Sequence, residues 1–399
     1  MKILRIATVA AIAIAASTYS HADDFDSCLL RLQDEARSAG VSERTVANVI
    51  PGLTQQARVL ELDRKQPEFV QTFGDYLAAR VTEKRVTTGR ERYAEYRPFL
   101  DQLTRQYGVP GHYLVAFWGL ETNFGGYLGN MPTLDSLATL ACDERRSKFF
   151  SSELITALQL LDRHELPVET MRGSWAGAMG HTQFMPSNYA RYAVDGDGDG
   201  RVDLWNSPRD ALASGANFLQ QLGWERGLRW GREVTLPANF PFGRSGLEQA
   251  TSLQDWRTLG VRRADGPQLP AIELEGAILV PSGSRGPAFL VYQNFHVIMR
   301  WNRSESYAIA VGHLADRIAG AGELLRQPPP DQKALNRAQT TEMQTYLEAA
   351  GYLAGGVDGI AGPATRRALR DFQREQKLVA DGYPDAASLQ QLRSYAEKR

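Results

Sequence analysis

The chain is poor in cysteine, in charge of one sign and in long apolar runs, and each shortage removes a class of protein. Only two cysteines, Cys28 and Cys142, occur in 399 residues, which excludes a disulfide-dense scaffold. No Cys/His cluster has zinc spacing. Lys and Arg number 45 against 46 Asp and Glu, a balance that offers no electrostatic grip on nucleic acid or anionic lipid. Beyond Ala16 no apolar run approaches membrane-spanning length. Gly173-Ser174-x-x-Gly177 lacks the register of a hydrolase nucleophile elbow.

Residues 1–22 have the order of a secretory leader: Lys2 and Arg5, an apolar stretch from Ile6 to Ala16, then Ser20-His21-Ala22 as a small-x-small cleavage site. No lipid-attachment cysteine stands at that point, because Cys28 follows an acidic stretch from Asp23 to Asp26. A periplasmic export with no transmembrane anchor is expected. In that oxidising compartment an isolated pair of cysteines either bridges or stays as two buried thiols, and bridging is the expectation.

Domain 23–326 comes next. Apolar residues at three-to-four spacing predict helices over 59–88, with a break at Pro67, and over 90–107, 149–164 and 208–222. From Arg232 onward, short β-like runs at 233–236, 271–280 and 288–298 suggest a small α+β lobe. Helix resumes over 307–325. Pro328-Pro329-Pro330 marks a linker, 327–332, expected to isolate the tail, 333–396. The tail carries three helical segments, 341–350, 363–376 and 385–396, with Pro363 at a helix start.

The most informative local feature begins at Pro110. Leu114, Phe117, Trp118 and Glu121 follow at i, i+3, i+4 and i+7, so a glutamate ends an apolar helix face just before a glycine-rich stretch. Such a carboxylate is either an acid/base group tuned by desolvation or a salt-bridged helix-end residue, and periodicity leaves both open.

Further along, Gly173-Ser174-Trp175-Ala176-Gly177-Ala178-Met179-Gly180-His181-Thr182-Gln183-Phe184-Met185-Pro186 bares backbone, with Ser174 and Gln183 able to meet sugar hydroxyl and acetamido groups. Asp195-Gly196-Asp197-Gly198-Asp199-Gly200-Arg201-Val202-Asp203 opens like an EF-hand loop, with acids at positions 1, 3, 5 and 9 and the Arg201 carbonyl at 7. Asn206 stands where the closing glutamate belongs, and Asp210 lies four residues later. The alternative is an acidic surface turn without metal.

Glu121-Thr122-Asn123-Phe124-Gly125, Leu134-Asp135-Ser136-Leu137-Ala138-Thr139-Leu140, the Gly173–Pro186 block and the late elements Tyr292-Gln293-Asn294-Phe295, Trp301-Asn302 and Ser306-Tyr307-Ala308 fall in sequence. Together they resemble the lytic murein transglycosylase B family. The tail, with Gly351-Tyr352, Asp358-Gly359, Gly362-Pro363-x-Thr365 and Phe372-Gln373, resembles peptidoglycan-binding domain 1. Departures stand at Asn123, His181 and Gln293.

The resemblance implies a mainly α (α+β) protein: a lysozyme-like helical catalytic lobe, a small α+β lobe and a three-helix wall-binding module. It implies Glu121 as the sole catalytic carboxylate, with Ser174, Gln183, Asn294, Phe124 and Tyr292 on the substrate. It also implies structural Ca²⁺ on Asp195, Asp197, Asp199, Arg201, Asp203 and Asp210, without an organic cofactor. The expected partners are peptidoglycan glycan strands and their stem peptides, met by a monomer. An ordinary glycosidase pairs two carboxylates, whereas a lone acid suits non-hydrolytic cleavage to a 1,6-anhydromuramoyl end. The rivals are a hydrolytic muramidase and an inactive wall anchor.

Overall fold

The computed structural model describes residues 19–64, 71–163, 166–353 and 356–398, with side chains from Asp24 onward. The leader region 1–22 lies outside them except for the start of the first helix at Tyr19, as does the break expected at Pro67. No described helix is long and apolar enough to cross a membrane. The described residues form two compact units, one drawn from the stretches up to Asp63, 130–178 and 185–187, the other from 64–129, 179–184 and the stretch from Asn188 onward.

In the first unit the helices Tyr19–Ser38, Glu43–Val49, Thr133–Ala141 and Ser147–Asp162 bury Leu29, Leu32, Leu137, Leu154 and Leu158 among them. Ser42 caps the second of these by accepting the N–H of Thr45. Cys28 and Cys142 form a disulfide, with Cα atoms 5.9 Å apart, tying the first helix to the end of Thr133–Ala141. Asp63 is 4% exposed and pairs with both Arg145 and Arg146, the opposite charges that a buried carboxyl group calls for. Strands β1 (Met131–Pro132) and β2 (Arg172–Gly173) pair antiparallel.

The second unit is built around the helix Gly111–Thr122. It is apolar on every side from Tyr113 to Gly119 and is therefore buried all round, as such a helix must be. Helices Glu83–Glu95, Arg97–Tyr107, Pro208–Gln221 and Glu305–Ile318 pack against it. Beside them stands an antiparallel sheet of β3 (Gly231–Thr235), β4 (Thr251–Ser252), β5 (Arg262–Arg263), β6 (Glu275–Leu279) and β7 (Ala288–Val291), in the order β4-β6-β7-β3-β5.

Three expectations about boundaries change. The stretch 59–88 holds three helices, Ala57–Arg64, Phe73–Arg80 and Glu83–Glu95, the latter two started by side-chain caps from Thr72 and Thr82. The stretch 90–107 breaks at Tyr96, because Pro98 sits in the first turn of the next helix. The run 288–298 is strand only to Val291; helix Gln293–Trp301 follows, an ambiguity inherent in short apolar runs.

The tail folds as helices Arg337–Ala349, Pro363–Glu375 and Ala386–Ala396 around Met343, Leu347, Leu369, Phe372, Leu389 and Leu392. Two buried glutamines clamp it in parallel fashion. Gln344 accepts the N–H of Gly359 and donates to Thr365, while Gln373 accepts the N–H of Gly382 and donates to Ser388. Each turns an Asp-Gly loop into a fixed corner. The module is not isolated by its linker: Arg370 pairs with Glu248 at 3.3 Å, the Ser284 N–H donates to Asp381 at 2.8 Å, and Arg285 pairs with Asp331 at 2.7 Å.

Candidate active site

Glu121 sits in the last turn of the buried helix, partly exposed, with Thr122 beneath it fully enclosed. The chain then leaves the helix through two left-handed residues, Asn123 (φ 51°) and Phe124 (φ 59°). Their turn is fixed by the Thr122 hydroxyl, which accepts the Gly125 N–H and donates to the carbonyl of His181. Phe124 folds back over Gly119, where an added Cβ would lie 2.7 Å from its ring. The helix is thus stopped and locked at the residue that matters.

The hydroxyl of Tyr307 donates to Oε1 of Glu121. Tyr307 is 5% exposed, and burial together with the Glu121 charge pushes its phenol well above the ordinary tyrosine value, so it remains a donor. Ser304 caps its helix by accepting the Tyr307 N–H, and Phe117 stacks on Trp301 at 4.3 Å. The Ser306-Tyr307-Ala308 element assigns Tyr307 no role by itself, because only its contact with a residue 186 positions away reveals one.

Gln183, also in a left-handed conformation (φ 49°), spends its amide nitrogen on the carbonyls of Leu128 and Gly180. Its carbonyl oxygen is the atom left to receive a ligand proton. Ser174 belongs to the first unit, where its Oγ accepts the N–H groups of Ala176 and Ala178 and keeps its own proton to donate.

The other three expected substrate residues are corrected. Asn294 is 0% exposed, and its amide is consumed by the backbone of Glu225 and Leu228, so it braces the fold. Phe124, 8% exposed, packs edge-on against Trp118 and belongs to the core. Tyr292 is 1% exposed and packs in the core beside the sheet. Asn302, by contrast, is half-buried and makes no side-chain hydrogen bond among the described residues.

His181 accepts a proton from the indole of Trp118 at 2.9 Å on Nδ1, so that nitrogen is unprotonated and burial holds the ring's pKa below the usual histidine value. Gly125 makes room for it: an added Cβ would sit 2.2 Å from the imidazole. The backbone N–H of His181 donates to the Leu204 carbonyl at 2.8 Å, which joins this turn to the acidic loop.

In that loop carboxylate oxygens of Asp195, Asp197 and Asp210 lie within 4.8 Å of one another. Asp210, 1% exposed, accepts the N–H groups of Gly196 and Asp203 across the loop. The Gly200 and Gly198 N–H groups hold the Asp195 carboxyl below the ordinary aspartate value. Three converging anionic oxygens fit a hard divalent cation. Asp199 instead accepts the Arg201 N–H, and Asp203 caps Trp205 and Asn206, so neither joins the cluster.

A carboxylate gripped by a buried phenol at the end of a buried helix has the parts of an acid/base site. Residues 24–316 match the Transglycosylase SLT domain family, to which the chain belongs, and residues 336–392 match a putative peptidoglycan binding domain. The chain is 36% identical over 245 residues to membrane-bound lytic murein transglycosylase B of Escherichia coli, an alignment covering 60% of this chain and 65% of that protein. It resembles SltB3 of Pseudomonas aeruginosa, solved with NAG-anhNAM-pentapeptide, at TM-score 0.88 and 41% identity over 92% of this chain and 99% of that one. Slt35 of Escherichia coli, solved in complex with calcium, matches at TM-score 0.65 and 29% identity, covering 74% and 93%.

Proposed function

We propose that this chain is a peptidoglycan lytic transglycosylase that cleaves the β-1,4 bond between N-acetylmuramic acid and N-acetylglucosamine without water. The observation that carries the reading is Glu121, fixed by Tyr307 at the end of the central helix. Glu121 protonates the glycosidic oxygen, and the leaving sugar departs as positive charge develops at C1. It then takes the proton of the muramoyl 6-hydroxyl as that oxygen closes onto C1, giving the 1,6-anhydro end. The nucleophile belongs to the same sugar, so attack has the advantage of intramolecular geometry. In this reading Gln183 and Asn302 serve the sugars, and Ser174 is kept as the substrate residue that the family resemblance implies. The SltB3 complex with an anhydro product fragment supports this chemistry.

The same reading places the chain in the periplasm, reached by the leader at 1–22, acting on glycan strands with their stem peptides. It assigns a structural Ca²⁺ to Asp195, Asp197 and Asp210, bracing through Leu204 the turn that carries Gln183. The test is Glu121→Gln on purified sacculi, with products weighed by mass spectrometry. Native protein should release fragments one water lighter than hydrolytic ones. The variant should lose roughly 10²–10⁴-fold in rate, the usual range for one general acid/base group. Products of ordinary reducing-end mass would replace this reading with a muramidase.

A further inference from the structure

Where the tail meets the catalytic body, the first turn of Glu305–Ile318 and the start of Pro363–Glu375 border a cavity of about 150 Å³. Arg303, Ser304, Glu305 and Ser306 line it from the body, Arg366 and Tyr383 from the tail. A cavity of this size holds several waters, so a small polar group fits within it.

Its charges are arranged unusually. The neighbouring Arg370 and Glu248 close an ion pair at 3.3 Å. Glu305 and Arg366 attract each other across the cavity, yet neither side chain forms a hydrogen bond or ion pair with any described residue. Arg366 is steadied over the Tyr383 ring at 5.8 Å, which leaves its N–H edge for an acceptor. Burial pushes the Glu305 carboxyl above the ordinary glutamate value, a cost that nothing nearby offsets with a hydrogen bond. A ligand cation at Glu305 and a ligand anion at Arg366 would satisfy both at once.

The geometry points to a receptor for a zwitterionic amino-acid end group, its carboxylate on Arg366 with Arg303 beside it and its ammonium on Glu305. Resting on the transglycosylase reading, we assign that group to the stem peptide of the wall. Tyr307, two residues beyond Glu305, holds the catalytic carboxylate, so cavity and reaction site flank one helix turn. A stem of five residues extends up to ~17 Å, enough to pass that turn from a muramoyl unit at Glu121. The peptide is thereby read where tail and body meet, beside the helix turn that serves the glycan.

The test is calorimetric titration of the full chain with the stem tripeptide L-Ala-γ-D-Glu-meso-diaminopimelate. Two blocked forms are titrated beside it, one N-acetylated and one amidated at the terminal zwitterionic centre. Charge-assisted hydrogen bonds of about 1.5–3 kcal/mol should make the unblocked probe bind about tenfold or more tightly than either. Glu305→Gln should erase discrimination against the acetylated probe, and Arg366→Gln against the amidated one. Equal affinity for all three probes, or no binding, overturns the proposal on native protein even if a variant misfolds. In kinetics, the kcat/KM ratio of peptide-bearing to peptide-free strands should fall in both variants. Inability of the native protein to cleave even peptide-bearing strands counts against the transglycosylase reading, whereas a ratio unchanged by both variants counts against the receptor.

Discussion

Tyr307 and Glu121 come from helices far apart in sequence, and the phenol of one holds the carboxylate of the other. Because the phenol is buried and its pKa is raised, it cannot exchange roles with the glutamate; it donates throughout the working range. Its effect is to fix Oε1 and with it the plane of the carboxyl group.

Tyr307→Phe should therefore keep the ring against Phe117 while releasing the carboxyl. A hydrogen bond to a charged group contributes about 1.5–3 kcal/mol, so kcat should drop about ten- to a hundredfold. KM and melting temperature should hardly move. Steady-state rates on soluble glycan fragments check this, and an unchanged kcat would show that Glu121 is oriented by other contacts.

Much of this was legible because it is local. The apolar helix ending in Glu121, the three helices of the tail and the acidic loop all announce themselves within a few residues. What was not legible depends on distant partners. Asn294 looked like a ligand amide because its acceptors and donor, in Glu225 and Leu228, lie 66 to 69 positions away. Phe124 is placed on the substrate by the resemblance alone, whereas its left-handed backbone turns the ring onto Gly119. The proline linker suggests separation, whereas Arg370 on Glu248 and Asp381 on Ser284 show the tail docked.

Calcium should raise the melting temperature of the native protein, since a ligand bound only by the folded state stabilises it by mass action. Asp210→Asn should abolish the rise, because its carboxylate both faces Asp195 and Asp197 and gathers the loop's N–H groups. Thermal melts with added calcium and with chelator decide; coincident curves for the native protein would reduce the loop to a hydrogen-bonded turn.

Acid should weaken the fold before its ion pairs protonate. Burial lowers His313 and His112 from 6.5 to about 4, with Arg317 and Arg229 adding to the effect. The unfolded chain takes up these protons near 6.5 while the folded one refuses them until about 4. Stability contributed by the neutral rings is thus complete above that window and lost as pH falls through it. Asp316, whose carboxyl burial pushes up, works in the opposite sense, so the comparison must be pairwise. His313→Asn should melt with a shallower dependence on pH between 7 and 4 than the native chain; parallel curves would remove His313 from the account.

The docked tail makes a prediction opposite to that of a free tether. Arg370 on Glu248 and Asp381 on the Ser284 N–H are spread over one face. Gly283 lies so close to Tyr383 that an added Cβ would stand 2.8 Å from it. A surface packed this closely couples the two cores, so the intact chain should lose its tail and the sheet-bearing body in one calorimetric transition. Ending the chain at Gln327 should lower the melting temperature of what remains, by roughly 2–4 °C for each kcal/mol of docking energy lost. Asp381→Ala should reproduce part of that fall with the tail still present, which separates loss of docking from loss of chain. Two transitions in the intact protein, the body's coinciding with that of the truncated form, would mean that the proline linker and not the interface governs the tail.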